Sequence, residues 1–251
     1  MPRRARKLSS TGIYHVMLRG INQQDIFEEE DDYLRFLAVI RECKDISKFE
    51  LYAYCLMTNH VHLLIKTGEE PLELIFKRIG SRYVYWYNLK YQRIGHLFQD
   101  RYKSEAVEDD AYFLTVLRYI IQNPMKAGME TAPGNYQWSS YRSYLGEADH
   151  LTDTGFAEGM FQCNKDLVEY LNQKDESILL DISEKPEGIT DEKAGEIMWQ
   201  ITGCRSASEF QMLGKKQQRE YAVKLRDKKL TLGQIARVTG MAKATIHRAL
   251  M

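Results

Sequence analysis

Leu51-Tyr-Ala-Tyr-Cys-Leu-Met57, Thr58-Asn59 and His60-Val-His-Leu-Leu-Ile-Lys66 follow one another directly in the chain. The outer runs are rich in β-formers and only two residues part them, so they predict two strands joined by a tight reversal. Upstream, Ile13-Tyr-His-Val-Met-Leu18 predicts a first strand that ends in a turn at Arg19-Gly20. Between them, Phe27–Cys43 opens on the acidic cluster Glu28–Asp32 and then spaces Leu34, Leu37, Ile40 and Cys43 three residues apart, the pattern of an amphipathic helix. Downstream, Pro71 can stand in a first helical turn, and Leu72, Ile75 and Ile79 carry a helix to about Tyr91. His96–Val107 predicts a fourth strand. Glu108-Asp109-Asp110 then starts a helix carrying Phe113, Val116, Leu117 and Ile120, which Pro124 is expected to end. This order gives an α+β sandwich, with helices packed on a mainly antiparallel sheet.

Beyond Leu145 the pattern becomes helical, with loops at Glu184–Gly188 and Gly203–Ser208. We therefore divide the chain into residues 1–148 and an all-α region, 149–251. Within 229–251, the small Ala236, the turn-forming Gly240 and the apolar Ile246 are spaced as two helices crossing at a tight turn require, so a helix-turn-helix is expected.

The 251 residues, 44% hydrophobic and 28% charged, describe a folded protein rather than a disordered one. Mean hydropathy is −0.47, and no apolar run approaches the ~18 residues of a membrane span. The basic start MPRRARKLSS is followed by no apolar core or cleavage site of a signal peptide. The four cysteines (Cys43, Cys55, Cys163, Cys204) show neither CxxC nor disulfide-framework spacing, as in a reducing compartment. A soluble, cytoplasmic protein is expected. The 35 basic and 35 acidic side chains cancel in total but not locally: residues 151–196 hold 4 basic and 12 acidic, whereas 215–251 hold 10 and 2. The basic tail keeps a nucleic-acid partner in play.

On a strand, His60 and His62 point to one face about 7 Å apart, so both imidazoles can converge on one ion. They can equally be two satisfied histidines, and an HxH tripeptide alone does not choose. Tyr119 and Asn123 lie four apart on the Glu108–Pro124 helix, where their oxygens could complete such a site. Tyr119 shares its side with Thr115, Gln122 and Asn123, which reads as a polar side set apart from the buried stripe. Within Phe76–Arg93, Lys77, Arg78, Arg82, Lys90 and Arg93 interleave with Tyr83, Tyr85, Trp86, Tyr87 and Tyr91. That combination offers phosphate attraction and stacking platforms for unpaired bases, although several of the rings must pack on the sheet. Arg101 and Lys103 on the next strand, with Arg19, add to the basic set; in the tail, Lys243, Thr245, His247 and Arg248 are placed to reach a groove.

Five blocks occur in order: Tyr14-His-Val-Met-Leu-Arg-Gly20, Met57-Thr-Asn-His-Val-His-Leu-Leu-Ile65, Gly95-His-Leu-Phe-Gln-Asp-Arg-Tyr-Lys-Ser104, Arg118-Tyr-Ile-Ile-Gln-Asn-Pro-Met-Lys-Ala-Gly128 and Trp138-Ser-Ser-Tyr141. Over residues 8–145 the chain resembles the single-tyrosine HUH transposases, most of all the REP-associated branch. It departs from them at Thr58, Ile21 and Ile121-Gln122, where that family often has proline, asparagine and His-Leu.

The resemblance implies a ferredoxin-like α+β fold of the HUH endonuclease type. It implies His60 and His62 as ligands of Mg²⁺ or Mn²⁺, Asn123 as a third ligand and Tyr119 as the nucleophile. The expected activity is cleavage and rejoining of single-stranded, hairpin or repeat DNA through a 5′-phosphotyrosine link, with duplex DNA a further partner of the tail. The rival reading is a domesticated relative that binds repeats without cutting. Whether the chain works as a monomer or a dimer is not encoded in any of these patterns.

Overall fold

The computed structural model describes residues 7–99, 101–147, 149–174, 179, 191–228 and 230–249. Residues 1–6, the loop expected at Glu184–Gly188, the division expected after Ala148 and the ends of the 229–251 segment lie outside them. The chain forms two compact units, residues 1–181 and 182–251.

The first unit runs β1 (Ile13–Arg19), α1 (Glu30–Ser47), β2 (Glu50–Met57), β3 (His60–Lys66), α2 (Leu72–Lys90), β4 (Lys103–Val107) and α3 (Asp110–Lys126). It continues with the shorter helices α4 (Tyr141–Tyr144), α5 (Gly155–Glu158) and α6 (Asn164–Asn172). The four strands form one antiparallel sheet in the order β2-β3-β1-β4. Chain alternation gives the sheet two buried faces. Tyr14, Val16, Leu18, Val61, Leu63 and Ile65 pack with Phe36, Val39, Ile40, Ile75, Ile79 and Tyr83 of α1 and α2. Ile13, Cys55, Met57, Leu64 and Val107 pack with Phe113, Val116, Leu117 and Ile120 of α3 and with Leu167 and Leu171 of α6.

Local chemistry sets the helix ends. Asp32, fully buried in the first turn of α1, accepts from the backbone N–H of Glu28 and Glu29 at 2.7 and 2.9 Å, and α1 stops where Lys48 turns left-handed at φ 52°. Asp109 caps α3 by accepting from Tyr112 N–H at 2.7 Å. Three sequence expectations change here. Pro124 does not end α3, which runs to Lys126: so near the C-terminus the missing N–H removes a single helical bond, and Asn123 O and Pro124 O still accept from Ala127 and Met129. The expected strand over 96–107 is only Lys103–Val107; Leu97 and Gln99 bond to Ile21 and Arg19 at the end of β1, and the chain leaves the ladder before rejoining it. Residues 149–172 do not stand apart from the sheet, because Leu151, Ala157, Leu167 and Leu171 are buried within the first unit.

Past the sheet, Trp138–Tyr144 runs along the outer edge of β2. Leu56 N–H donates to Trp138 O, Ser140 N–H to Tyr54 O, and the Tyr144 hydroxyl to Tyr52 O. These bonds occupy backbone groups that an edge strand would otherwise expose.

The second unit contains α7 (Asp191–Thr202), α8 (Ala207–Gln211), α9 (Lys215–Asp227), α10 (Leu232–Thr239) and α11 (Lys243–Ala249) around Met198, Phe210, Leu225, Ile235 and Ile246. Gly240, at φ +69°, ends α10 in the left-handed region, so α11 starts three residues later in a new direction.

Candidate active site

The site forms on the sheet face beneath α3, at the end where β1 finishes and β3 begins. Antiparallel register sets Arg19 opposite His60 and Met17 opposite His62, so these four residues share the face with His15, and Lys103 joins it from β4. His62 lies on β3, between β2 and β1, and is fully buried; His60 is 6% exposed. Their rings meet edge to face at 5.1 Å.

Tyr119 descends onto this pair from α3. Its ring lies 5.8 Å from that of His62 and 5.8 Å from that of His15, and the Lys126 ammonium, two helical turns on, sits 4.3 Å from its ring centre. Tyr119 is 1% exposed, so the side of α3 expected to be polar and set apart from the core is buried. Tyr119 is covered because it turns onto His15 and His62 of the sheet, and Gln122 because the end of α6 lies over it: Gln122 Nε2 donates to Leu171 O at 2.6 Å and Gln173 O at 2.7 Å. Asn123 is buried one turn beyond Tyr119.

Both candidate ligands are tied at Nδ1. His60 Nδ1 meets Asn59 Oδ1 at 2.6 Å, while Asn59 Nδ2 donates to Gln23 O at 3.3 Å. That second bond orients the amide so that its oxygen faces the ring, and His60 Nδ1 is therefore the donor. His62 Nδ1 meets His15 Nε2 at 2.9 Å. Burial holds His15 down to about 3, and burial followed by the neighbouring His15 and His60 holds His62 well below the ordinary histidine value. Both rings are neutral near pH 7. His62 Nε2 is sealed from water without a hydrogen-bond partner.

The basic candidates divide by location. Arg19 is half-buried at the end of β1, with its Nε sealed and without a hydrogen bond, and Lys103 is exposed on β4. Arg101 is exposed and lies 3.8 Å from Glu73. Lys77, Arg78 and Arg82 lie on α2, across the sheet from Tyr119. Lys77 is exposed, Arg78 grips both oxygens of Glu70 as well as Ser47, and Arg82 pairs with Glu42 at 2.5 Å. Of the aromatic run, Tyr83 and Tyr87 are core residues and Tyr85 is exposed. In the second unit Lys243, His247 and Arg248 are exposed on α11 and Thr245 is half-buried.

Residues 9–123 match the family described as IS200-like transposases. That span holds β1 through to Asn123 on α3, hence both histidines and the tyrosine. Residues 9–123 belong to the IS200-like transposase family. The fold is similar to the solved structure of a REP-associated tyrosine transposase bound to a REP hairpin, at 16% identity over 61% of this chain and 90% of that one, with a TM-score of 0.52. A candidate transposase from Deinococcus radiodurans R1 matches at 17% identity over 52% of this chain and 100% of that one, with a TM-score of 0.34. No curated protein matches the chain.

Relative to the IS200-like core, the strap at 138–144 and the helix α6 lie beyond the matched span, yet they close the edge of β2 and the outer side of α3. Sequence reading missed two neighbours of Tyr119, His15 and Lys126. His15 stands inside a quoted block, but its meeting with His62 depends on the β1–β3 register. Lys126 follows Tyr119 by seven residues and so shares its side of α3, a usable signal once the helix is known to pass Pro124.

Proposed function

We propose that this transposase-family chain is a divalent-metal-dependent nuclease and strand transferase acting on single-stranded DNA at hairpins or repeats, with Tyr119 as nucleophile. The observation that carries the reading is the convergence of His60, His62 and Tyr119 on one sheet face, with His62 Nε2 buried and unpartnered among them. A sealed polar atom without a partner is costly, and an ion would satisfy it. Among the described residues no three His, Cys, Asp or Glu side chains gather to hold a metal. The proposed donor set is two imidazoles with the Asn123 carboxamide from one turn beyond Tyr119; its carbonyl oxygen and completing water suit Mg²⁺ or Mn²⁺, while the imidazoles favour the softer Mn²⁺ of the two. When bound, such an ion supplies Lewis acidity at the scissile phosphate.

The chain's own groups do the rest. The Tyr119 oxygen attacks phosphorus; the new O–P bond forms as the P–O3′ bond breaks, the phenolic proton departs, and the released 3′-oxygen takes up a proton. The phosphodiester is conserved as a 5′-phosphotyrosine, so a second 3′-hydroxyl can reverse the step and join strands. Arg19 and Lys103, on the same face, neutralise the backbone as it enters. In the second unit α10, Gly240 and α11 act as a helix-turn-helix that offers Lys243, Thr245, His247 and Arg248 to DNA, duplex included.

One observation favours a second reading, a DNA-binding protein that does not cut: the 1% exposure of Tyr119. Labelled hairpin DNA incubated with Mn²⁺ or Mg²⁺ separates the two. The wild-type protein should form a covalent adduct stable to denaturation, and Tyr119→Phe should bind the DNA without forming one. No wild-type adduct supports the binding protein, and an adduct persisting in Tyr119→Phe moves the nucleophile elsewhere, Tyr112 being the first alternative.

A further inference from the structure

We infer that His15 is a positioning residue for the metal site, holding His62 in the tautomer whose Nε2 is a lone pair directed to the ion; this rests on the metal reading above. The contact that carries it is His15 Nε2 to His62 Nδ1 at 2.9 Å, between two fully buried rings whose centres are 5.2 Å apart. A neutral imidazole has one N–H and one lone pair, so this contact contains a single proton. Either assignment leaves one sealed N–H without an acceptor, at His62 Nε2 or at His15 Nδ1, so the ion decides: if His15 Nε2 supplied the proton, His62 Nε2 would itself be protonated and could bind no ion. If His62 Nδ1 supplies it, His62 Nε2 is left with the lone pair that a metal needs.

Asn59 does the equivalent for His60, accepting from its Nδ1 while its own amide is oriented by Gln23 O. Both ligands are thus held through Nδ1, one by a turn residue and one by a ring on the neighbouring strand. Ligating histidines commonly donate their other N–H to such a partner, which fixes ring orientation and raises basicity. Packing does not explain the residue at 15. Along β1 and β3 its neighbours on that face, Ile13, Met17 and Leu64, are apolar; its partner on β4 is Glu105, yet His15 Nδ1 is sealed without a hydrogen bond and only Nε2 is engaged, by His62. His15 is not itself a ligand, since Nε2, the nitrogen it turns toward the site, is engaged by His62.

The test uses full-length protein labelled with ¹⁵N in its six histidines. Long-range ¹H–¹⁵N correlation reports each ring's tautomer without metal or activity, and His62→Ala assigns the His62 signals. We expect metal-free wild-type His62 to be protonated at Nδ1, and His15→Phe to lose that single tautomer. Calorimetric titration with Mn²⁺ should show His15→Phe weakened on the order of 10–100-fold. His15→Gln, whose amide oxygen can accept the same bond, should keep most of the affinity.

A wild-type His62 protonated at Nε2, or wild-type Mn²⁺ affinity in a folded His15→Phe, overturns the inference while leaving the metal reading intact. Absence of Mn²⁺ binding by the wild-type protein overturns the metal reading, and this inference with it. Should His15→Phe fail to fold, the wild-type tautomer and the Gln variant still decide.

Discussion

Leu171→Ala tests whether the nucleophile's helix is held by a segment outside the family core. Leu171 lies in the last turn of α6, 48 positions beyond the last matched residue, and is 0% exposed in the same core cluster as Phe113, Leu117 and Ile121 of α3. Truncating a fully buried leucine costs about 2–5 kcal/mol. The lower half of that range, about 2–3 kcal/mol, applies because α6 is only nine residues long and can settle into part of the space. For a unit of this size each kcal/mol lowers Tm by roughly 2–4 °C, so a fall of about 4–12 °C is expected. Thermal unfolding followed by near-ultraviolet circular dichroism gives the first measurement, with Leu225→Ala as the counterpart in the core of the second unit. Because Gln122 bonds to the Leu171 carbonyl, adduct formation should fall alongside stability, whereas Leu225→Ala should leave adduct formation intact. A Tm within about 1 °C of wild type for Leu171→Ala would refute the reasoning. Residues 149–172 would then be an appendage, as their helical pattern alone suggests.

His60→Ala and His62→Ala should each weaken Mn²⁺ binding and cleavage together, with Asn123→Ala weaker in effect because water can replace a neutral oxygen ligand; unaltered calorimetric affinity in both histidine variants would exclude the pair as ligands. Burial pushes the Asp32 carboxyl upward, but Lys90, the Glu29 and Glu28 N–H groups and the Tyr91 hydroxyl outweigh it and hold the carboxyl below its usual value. Its contribution to stability is therefore present above about pH 4 and lost as pH falls through the lower native value. Asp32→Asn should be less stable at neutral pH and flatter in its acid limb, and an unchanged limb in denaturant titrations from pH 5 to 2 would count against that role. Removing residues 182–251 should weaken DNA binding and make its salt dependence shallower, since 215–251 carry eight excess positive charges. Equal slopes for the two proteins would take DNA contact away from the tail.

What was legible in the sequence was local. The hairpin at 51–66 declares itself because period-two strands and a two-residue turn are written in neighbouring residues, and its register places His60 and His62 on one face without further information. The order β2-β3-β1-β4 is a long-range arrangement, and only that order brings His15 beside His62 across 47 residues. Charge shows the same limit. Arg78 and Arg82 read as surface cations, but Glu70 and Glu42 lie 8 and 40 residues away and engage them on the far side of the sheet.

The side of α3 that carries Tyr119 misleads for a more general reason. Polarity in a helical pattern signals solvent only when water is the sole available partner for the polar group. Gln122 instead spends its amide protons on carbonyls at the end of α6, so a polar residue became part of a buried contact, while Tyr119 on the same helix turns onto His15 and His62 of the sheet. In that dry layer a charge or dipole acts through little screening, which is where the tyrosine and the ring nitrogens of His62 and His15 influence one another most, with the exposed Lys126 ammonium at its rim. The feature that hides Tyr119 from a surface reading is thus the one that gives its surroundings chemical leverage. Through the Gln122 bonds α6, as well as the sheet, holds the helix that carries the tyrosine.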